Sequence, residues 1–411
     1  MNTITPYNIS TNNRITYTSK TQRQTNISKT NELDKVEKIG GTNINEKPTK
    51  MLLSLLKGAL NDEPVDQKEF KDANYSDWQT MLNISKDSSV TGIALDATNK
   101  LPQNTIPKDI EIKMLEIQKE SEIRHAKQEK ILGELSETFA KKGIETIQLK
   151  GIGLSMNYPE PTHRFGGDID IFTRLKGTQT QDHSNAYETI NNMMENKGLE
   201  VDSHNHSKKT KHSEFDYKGV RIENHRYFIN KERMPEAVKL DEYLHKSLNP
   251  HIQKLPNGTK ILVPSKEFNT IFLAHHAYQH FIFGGIDIHH LTDWSTHIKK
   301  NGLEFPNEAK NTKFEKFTYA LTNLSNRYLG TNVKVPEDKK FEDKIFNMLL
   351  HPEEKPIPKD LNKAELLVFK TKRFIKRAKQ SKEYTGESYF KTFARTFINK
   401  MCDPASLFKR I

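Results

Sequence analysis

The chain has 411 residues and a formal net charge of +11, with 34% hydrophobic and 28% charged residues. Its single cysteine, Cys402, excludes an internal disulfide and a cysteine-based zinc site. No apolar run reaches the roughly 20 residues of a membrane-spanning helix, and the start, MNTITPYNISTNN, has neither the charged nor the apolar region of a secretory signal, so a cytoplasmic location is expected.

Residues 1–48 are rich in Asn, Thr, Ser and Lys, too polar to offset the entropy of ordering, and read as a disordered tail. Residues 49–140 read as a helical region. It opens with MLLSLLKGAL at Met51–Leu60. Its long helix over Pro107–Lys142 is marked by Ile110, Met114, Ile117, Ile131, Leu135 and Phe139 at helical spacing. Gly143 stands where a left-handed cap ends such a helix. Ile144–Leu149 then reads as a buried strand, followed by a glycine turn at Gly151 and Gly153 and a short helix through Ser155 that Pro159 and Pro161 break. Strands are expected over Leu199–Asn205, Ser213–Tyr217 and Val220–Ile229, with a helix over Ser184–Lys197. From Lys239 the pattern turns helical, with segments at Phe268–His280, Ile288–Lys299, Phe314–Leu329 and Lys344–Leu350. Residues 141–232 are thus read as a mixed α/β sheet unit and 233–350 as a second helical region. The last part, 351–411, is a basic extension in which Lys372, Arg373, Lys376, Arg377, Lys379 and Lys382 cluster on one helix, either as a solvated face or as a contact for RNA or anionic lipid.

The chemistry concentrates in Leu149–Phe172, LKGIGLSMNYPEPTHRFGGDIDIF. Asp168 and Asp170 sit in a β-patterned run with Ile169, Ile171 and Phe172, so both carboxylates share one face, roughly 7 Å apart along the strand. Like charges held together raise each other's energy, and a cation relieves that cost. Mg²⁺ prefers such a site, its shell completed by water and substrate phosphates. Gly151 and Gly153 let the backbone approach a phosphate closely. Further along, Glu223 and His225 share one strand face and Ile222 and Asn224 the other. Glu223 is a candidate third carboxylate, with Asp216 as the alternative.

The arrangement LKG…YPEP…R..GDIDIF resembles the uncharacterised nucleotidyltransferase family, within the DNA polymerase β-like nucleotidyltransferase superfamily. Leu149, Lys150, Gly151, Tyr158, Pro159, Arg164, Gly167, Asp168 and Asp170 carry the match. Arg221-Ile222-Glu223-Asn224-His225 is similar to that family's Glu-x-His strand. HHAYQHFIFGGIDIHHLTDW is similar to its His-rich helix, Gly turn and Asp-Trp. The resemblance covers roughly residues 50–300. It implies an α+β fold, a small palm sheet over 141–232 flanked by helical regions. It also implies transfer of NMP from an NTP to an acceptor by a two-metal site, Mg²⁺ or Mn²⁺, on Asp168, Asp170 and Glu223. The turn at Lys150, Gly151 and Gly153 would contact the triphosphate, with Arg164 and Gly167 also at the nucleotide, although Arg164 can equally be structural. His225, His275 and His280 would line the site or pack beneath it, and Asp293-Trp294 would be a helix-packing and capping pair rather than a catalytic one. His276 and His280, four apart on one helix, have zinc-ligand spacing, but the chain has no HExxH. The acceptor, whether small molecule, sugar, protein or RNA, is not encoded in these motifs. A nucleotide- or RNA-binding protein that keeps the fold without turnover is the alternative, and the co-occurrence of three acidic residues argues against it.

Overall fold

The computed structural model describes residues 47–178, 183–202, 211–230, 234, 237–283, 285–350, 361–386 and 388. The polar tail assigned to 1–48 therefore lies outside the described residues, except for Lys47 and Pro48. So do His204 and His206 and most of the basic extension.

A helical layer comes first: α1 (Lys47–Asn61), α2 (Tyr75–Asp87), α3 (Thr91–Asp96) and the long α4 (Lys108–Ala140). Met51, Leu52, Leu55 and Leu56 recur at helical spacing on α1 and are completely buried, which is why the MLLSLLKGAL cluster folds as one amphipathic helix. Gly143 ends the α4 segment at φ +71°, the conformation that favours glycine.

Six strands form one mixed sheet: β1 (Ile144–Gln148), β2 (Asp168–Leu175), β3 (His212–Tyr217), β4 (Val220–His225), β5 (His251–Lys254) and β6 (Lys260–Val263), in the order β3-β4-β2-β1-β6-β5. Helices α5 (Ile152–Ser155) and α6 (His183–Asn196) flank β2 in sequence. Strand β2 is central, antiparallel to β1 and parallel to β4, with Asp170 paired to Glu223 and Phe172 to His225.

The alternation of β2 sorts its residues between two packing environments. Ile169 and Ile171 join Ile222, Phe215, the α4 residues Leu132, Leu135 and Phe139, and Ile190 of α6 in one buried cluster. Asp168, Asp170 and Phe172 point to the other face. There Phe172 meets Phe228 at 4.8 Å between ring centroids, and Phe228 meets Phe268 of α8 (Lys266–Phe283) at 4.7 Å. Each of these rings is essentially fully buried, worth roughly 1.5–3 kcal/mol apiece. This aromatic bridge seats α8 over the acidic face of the sheet. The helices α7 (Val238–Ser247), α9 (Ile288–Asn301), α10 (Lys313–Leu329) and α11 (Lys339–Leu350) complete that side, and α12 (Lys363–Thr385) carries the basic cluster. Among the described residues, no helix is long and apolar enough to cross a membrane.

Two sequence expectations are revised. The segment after Lys239 is not wholly helical: β5 and β6 form a hairpin that extends the sheet beside β1, turning at Gly258 with φ +88°. The strand expected over Leu199–Asn205 is reduced, in its described part, to a single bridge between Asp202 and Glu214.

Candidate active site

The parallel register of β2 and β4 sets Glu223 directly beside Asp170, on the face that also carries Asp168. One ligand oxygen from each of Asp168, Asp170 and Glu223 lies within 4.8 Å of the others. Asp170 is completely buried and the other two are half-buried. Asp216, the alternative third acid, is exposed on the edge strand β3, opposite Arg221.

Crowding shows in the protonation of these groups. The Asp170 carboxylate and burial together raise the Asp168 carboxyl above its ordinary value. Burial pushes Glu223 in the same direction, but a hydrogen bond from His225 and the proximity of His212 and Lys150 hold it well below. His225 is wholly buried, and its Nε2 donates to Asp170 Oδ1 at 3.0 Å.

Lys150 follows β1 and places its Nζ 3.1 Å from Asp170 Oδ2. Burial works against its charge, yet Asp170, Asp168 and Glu223 outweigh burial and keep it firmly protonated. A second ammonium, Lys211, feels the same carboxylates; burial and the charge of Lys150 lower its proton affinity. Neither Lys211 nor His212, whose Nδ1 is 3.5 Å from Glu223 Oε2, is singled out by the motifs. The one available signal was the basic run Lys208-Lys209-Thr210-Lys211-His212 leading into β3.

The turn after Lys150 depends on Gly151, at φ +62° and ψ −123°, a region that side chains disfavour. Gln148 Nε2 donates to the Lys150 carbonyl at 2.7 Å and Arg164 NH1 to the Gly151 carbonyl at 3.3 Å, fixing the turn from two sides. Gly153 has a different reason to be glycine: a Cβ there would lie 2.9 Å from Val263 Cγ1 of β6. At Gly167 a Cβ would meet nothing within 4 Å.

Arg164 forks onto Asp293, with Nε to Oδ1 and NH2 to Oδ2 both at 2.7 Å, and both residues are buried. Tyr158 donates its hydroxyl to the same Oδ1 at 2.6 Å. The guanidinium that would clamp phosphate is thus engaged within the protein, and Asp293 is its partner rather than merely a helix-packing residue.

The histidines of α8 part company. His275 packs into the helical core, its ring 5.4 Å from Phe314 and 6.2 Å from Tyr278, and burial lowers its pKa to about 3. His276 and His280 turn instead toward His290 of α9, at 5.4 and 4.5 Å between ring centroids.

The sequence profile of the uncharacterised nucleotidyltransferase family matches residues 74–330, which span β1, β2, β4 and the histidine helices. The chain belongs to this family. That membership supports nucleotidyl transfer in general terms. The crystal structure of an antigenic nucleotidyltransferase-like protein from Paracoccidioides brasiliensis is similar over 50% of this chain and 94% of that one, at 12% identity and a TM-score of 0.33. No curated protein matches the chain.

Proposed function

We propose that this member of the uncharacterised nucleotidyltransferase family transfers NMP from an NTP to an acceptor at Asp168, Asp170 and Glu223. The observation that carries the reading is the pairing of Asp170 with Glu223 on adjacent parallel strands, with Asp168 on the same face. The donor set consists of carboxylate oxygens, the ligands that Mg²⁺ or Mn²⁺ prefers, and the upward shift of Asp168 is the cost that a cation there would relieve. Bound to these three residues, such metal supplies charge neutralisation at the triphosphate and acidifies the acceptor hydroxyl.

The chain's own groups do the rest. His225, donating to Asp170, fixes the orientation of that carboxylate. Lys150 stays charged beside it and is the cation best placed to meet triphosphate oxygens, with Lys211 as a second. Arg164 acts indirectly, holding the Gly151 carbonyl and so the shape of the turn. Phosphoryl chemistry needs this kind of positioning and charge balance more than covalent participation.

The test is incubation of the purified chain with each α-labelled NTP, Mg²⁺ and panels of small-molecule, sugar, protein and RNA acceptors. Magnesium-dependent label transfer that disappears in Asp170→Asn is expected. NTP binding that ignores both chelator and Asp170→Asn would overturn the assignment. Tight binding without transfer to any acceptor would select the non-catalytic alternative.

A further inference from the structure

A cluster of nitrogen donors lies outside the carboxylate set. His276 and His280 are one helical turn apart on α8, so their rings share a face. The chain then reverses, with the Gly285 N–H bonded to the His280 carbonyl at 2.9 Å, and α9 brings His290 opposite them. One ring nitrogen from each of His276, His280 and His290 lies within 4.8 Å of the others.

The state of His290 is informative. Its Nδ1 is engaged within the protein, 3.0 Å from Asp287 Oδ1 and 3.3 Å from the Asp287 backbone N–H, so Nε2 is the nitrogen left for a ligand. His290 is only 6% exposed, and its Nε2 is buried with no hydrogen-bond partner. An imidazole backed by a carboxylate, with its other nitrogen unsatisfied, is how metal-binding histidines are commonly prepared. Asp287 is itself fixed, accepting from the His289 backbone as the cap of α9.

We propose that His276, His280 and His290 form a binding site for a divalent transition metal of the zinc type, separate from the carboxylate site. Three imidazoles suit borderline-soft Zn²⁺ rather than Mg²⁺, and three protein ligands leave a fourth position for water or substrate. Tetrahedral zinc needs ligand nitrogens about 3.3 Å apart, so on binding the rings would close in from a spacing that is at most 4.8 Å. Burial favours the neutral form of both rings, the form that ligates. The proposal does not depend on nucleotidyl transfer.

The full chain, stripped with chelator and held in excess Mg²⁺, would be titrated with Zn²⁺ by calorimetry and with Co²⁺ by visible absorption. One equivalent of Zn²⁺ is expected, with the intense bands of four-coordinate cobalt. His276→Asn and His280→Asn should each weaken binding at least 100-fold, and Asp287→Asn about 10–100-fold. Asp168→Asn should leave it unchanged. No Zn²⁺ binding by the unaltered chain would overturn the proposal, whatever the variants do. Full binding in both His276→Asn and His280→Asn would overturn it by pointing to Asp287, His289 and His290, whose ligand atoms also converge. Loss in Asp168→Asn would assign the ion to the carboxylates instead.

Discussion

Asp293→Ala is the sharpest probe of how the site is held in place. The substitution removes both acceptors of the Arg164 fork and leaves a guanidinium that is only 5% exposed without its counter-charge. Breaking a buried pair in this way costs about 3–5 kcal/mol, most of it from the stranded charge. The 2.6 Å hydrogen bond from Tyr158 is lost as well, adding about 1 kcal/mol if its hydroxyl falls back on Thr292. The two effects overlap, so about 4 kcal/mol is expected, or a thermal midpoint lower by roughly 6 °C for a folded unit of this size. Denaturant titration of wild type and variant measures the first figure and calorimetry the second. A paired replacement, Arg164→Met with Asp293→Leu, should recover most of the loss, because it leaves no buried charge. Transfer activity should not recover with it, since Arg164→Met removes the donor to the Gly151 carbonyl. An Asp293→Ala variant within about 1 kcal/mol of wild type, or a double variant no more stable than the single, would refute this account.

Other substitutions separate chemistry from scaffold. Asp168→Asn and Asp170→Asn should each abolish transfer with the fold intact, a loss on the order of several kcal/mol of transition-state stabilisation, read as labelled product per enzyme. Glu223→Gln should keep nucleotide binding and lose transfer, whereas Asp216→Asn, exposed on β3, should change neither in the same assay. Gly153→Ala should cost about 1–3 kcal/mol by forcing a methyl against Val263, while Gly167→Ala should be silent in denaturant titration. His297 is buried against Thr270, and burial lowers its pKa to about 4 from an unfolded value of 6.5, so the unfolded chain takes up its proton first. Its contribution, on the order of 3 kcal/mol, is complete above pH 6.5 and is lost as pH falls toward 4. Relative to His297→Gln, which has no proton to take up, wild type should therefore lose about 3 kcal/mol of unfolding free energy over that interval, and parallel pH profiles would count against the assignment.

The sheet's acidic face was legible because its code is local. Alternation along Asp168–Phe172 fixes which residues point together, and alternation along Val220–His225 does the same for Glu223. Only their mutual register required the fold. The β5–β6 hairpin escaped notice because its strands have four residues each and β5 is largely exposed, too short for alternation to stand out. Its turn signal, Asn257-Gly258, was nevertheless present. Arg164 and Asp293 are 129 positions apart, and nothing in either neighbourhood names the other. The same holds for His290: the spacing of His276 and His280 is visible in the sequence, but the third ring arrives only when α9 folds back. Contacts made by tertiary packing leave no periodic trace, and buried polar pairs are of that kind.

The charge balance at the carboxylates also bears on what the site would accept. Asp168, Asp170 and Glu223 face two ammonium groups, Lys150 at 3.1 Å from Asp170 and the more weakly held Lys211. A triphosphate approaching alone meets three carboxylates and is repelled. A divalent cation approaching alone meets Lys150, already seated at Asp170 and held there by all three acids. Were both to bind together, Asp168, Asp170 and Glu223 would hold the cation and Lys150 would be free to turn its charge to the phosphates, so each partner would remove the obstacle to the other. Coulombic terms at about 4 Å are on the order of 4 kcal/mol near a protein surface, large enough for this exchange to dominate the choice of ligand. On the proposed function, the arrangement therefore selects the metal–nucleotide complex over either component.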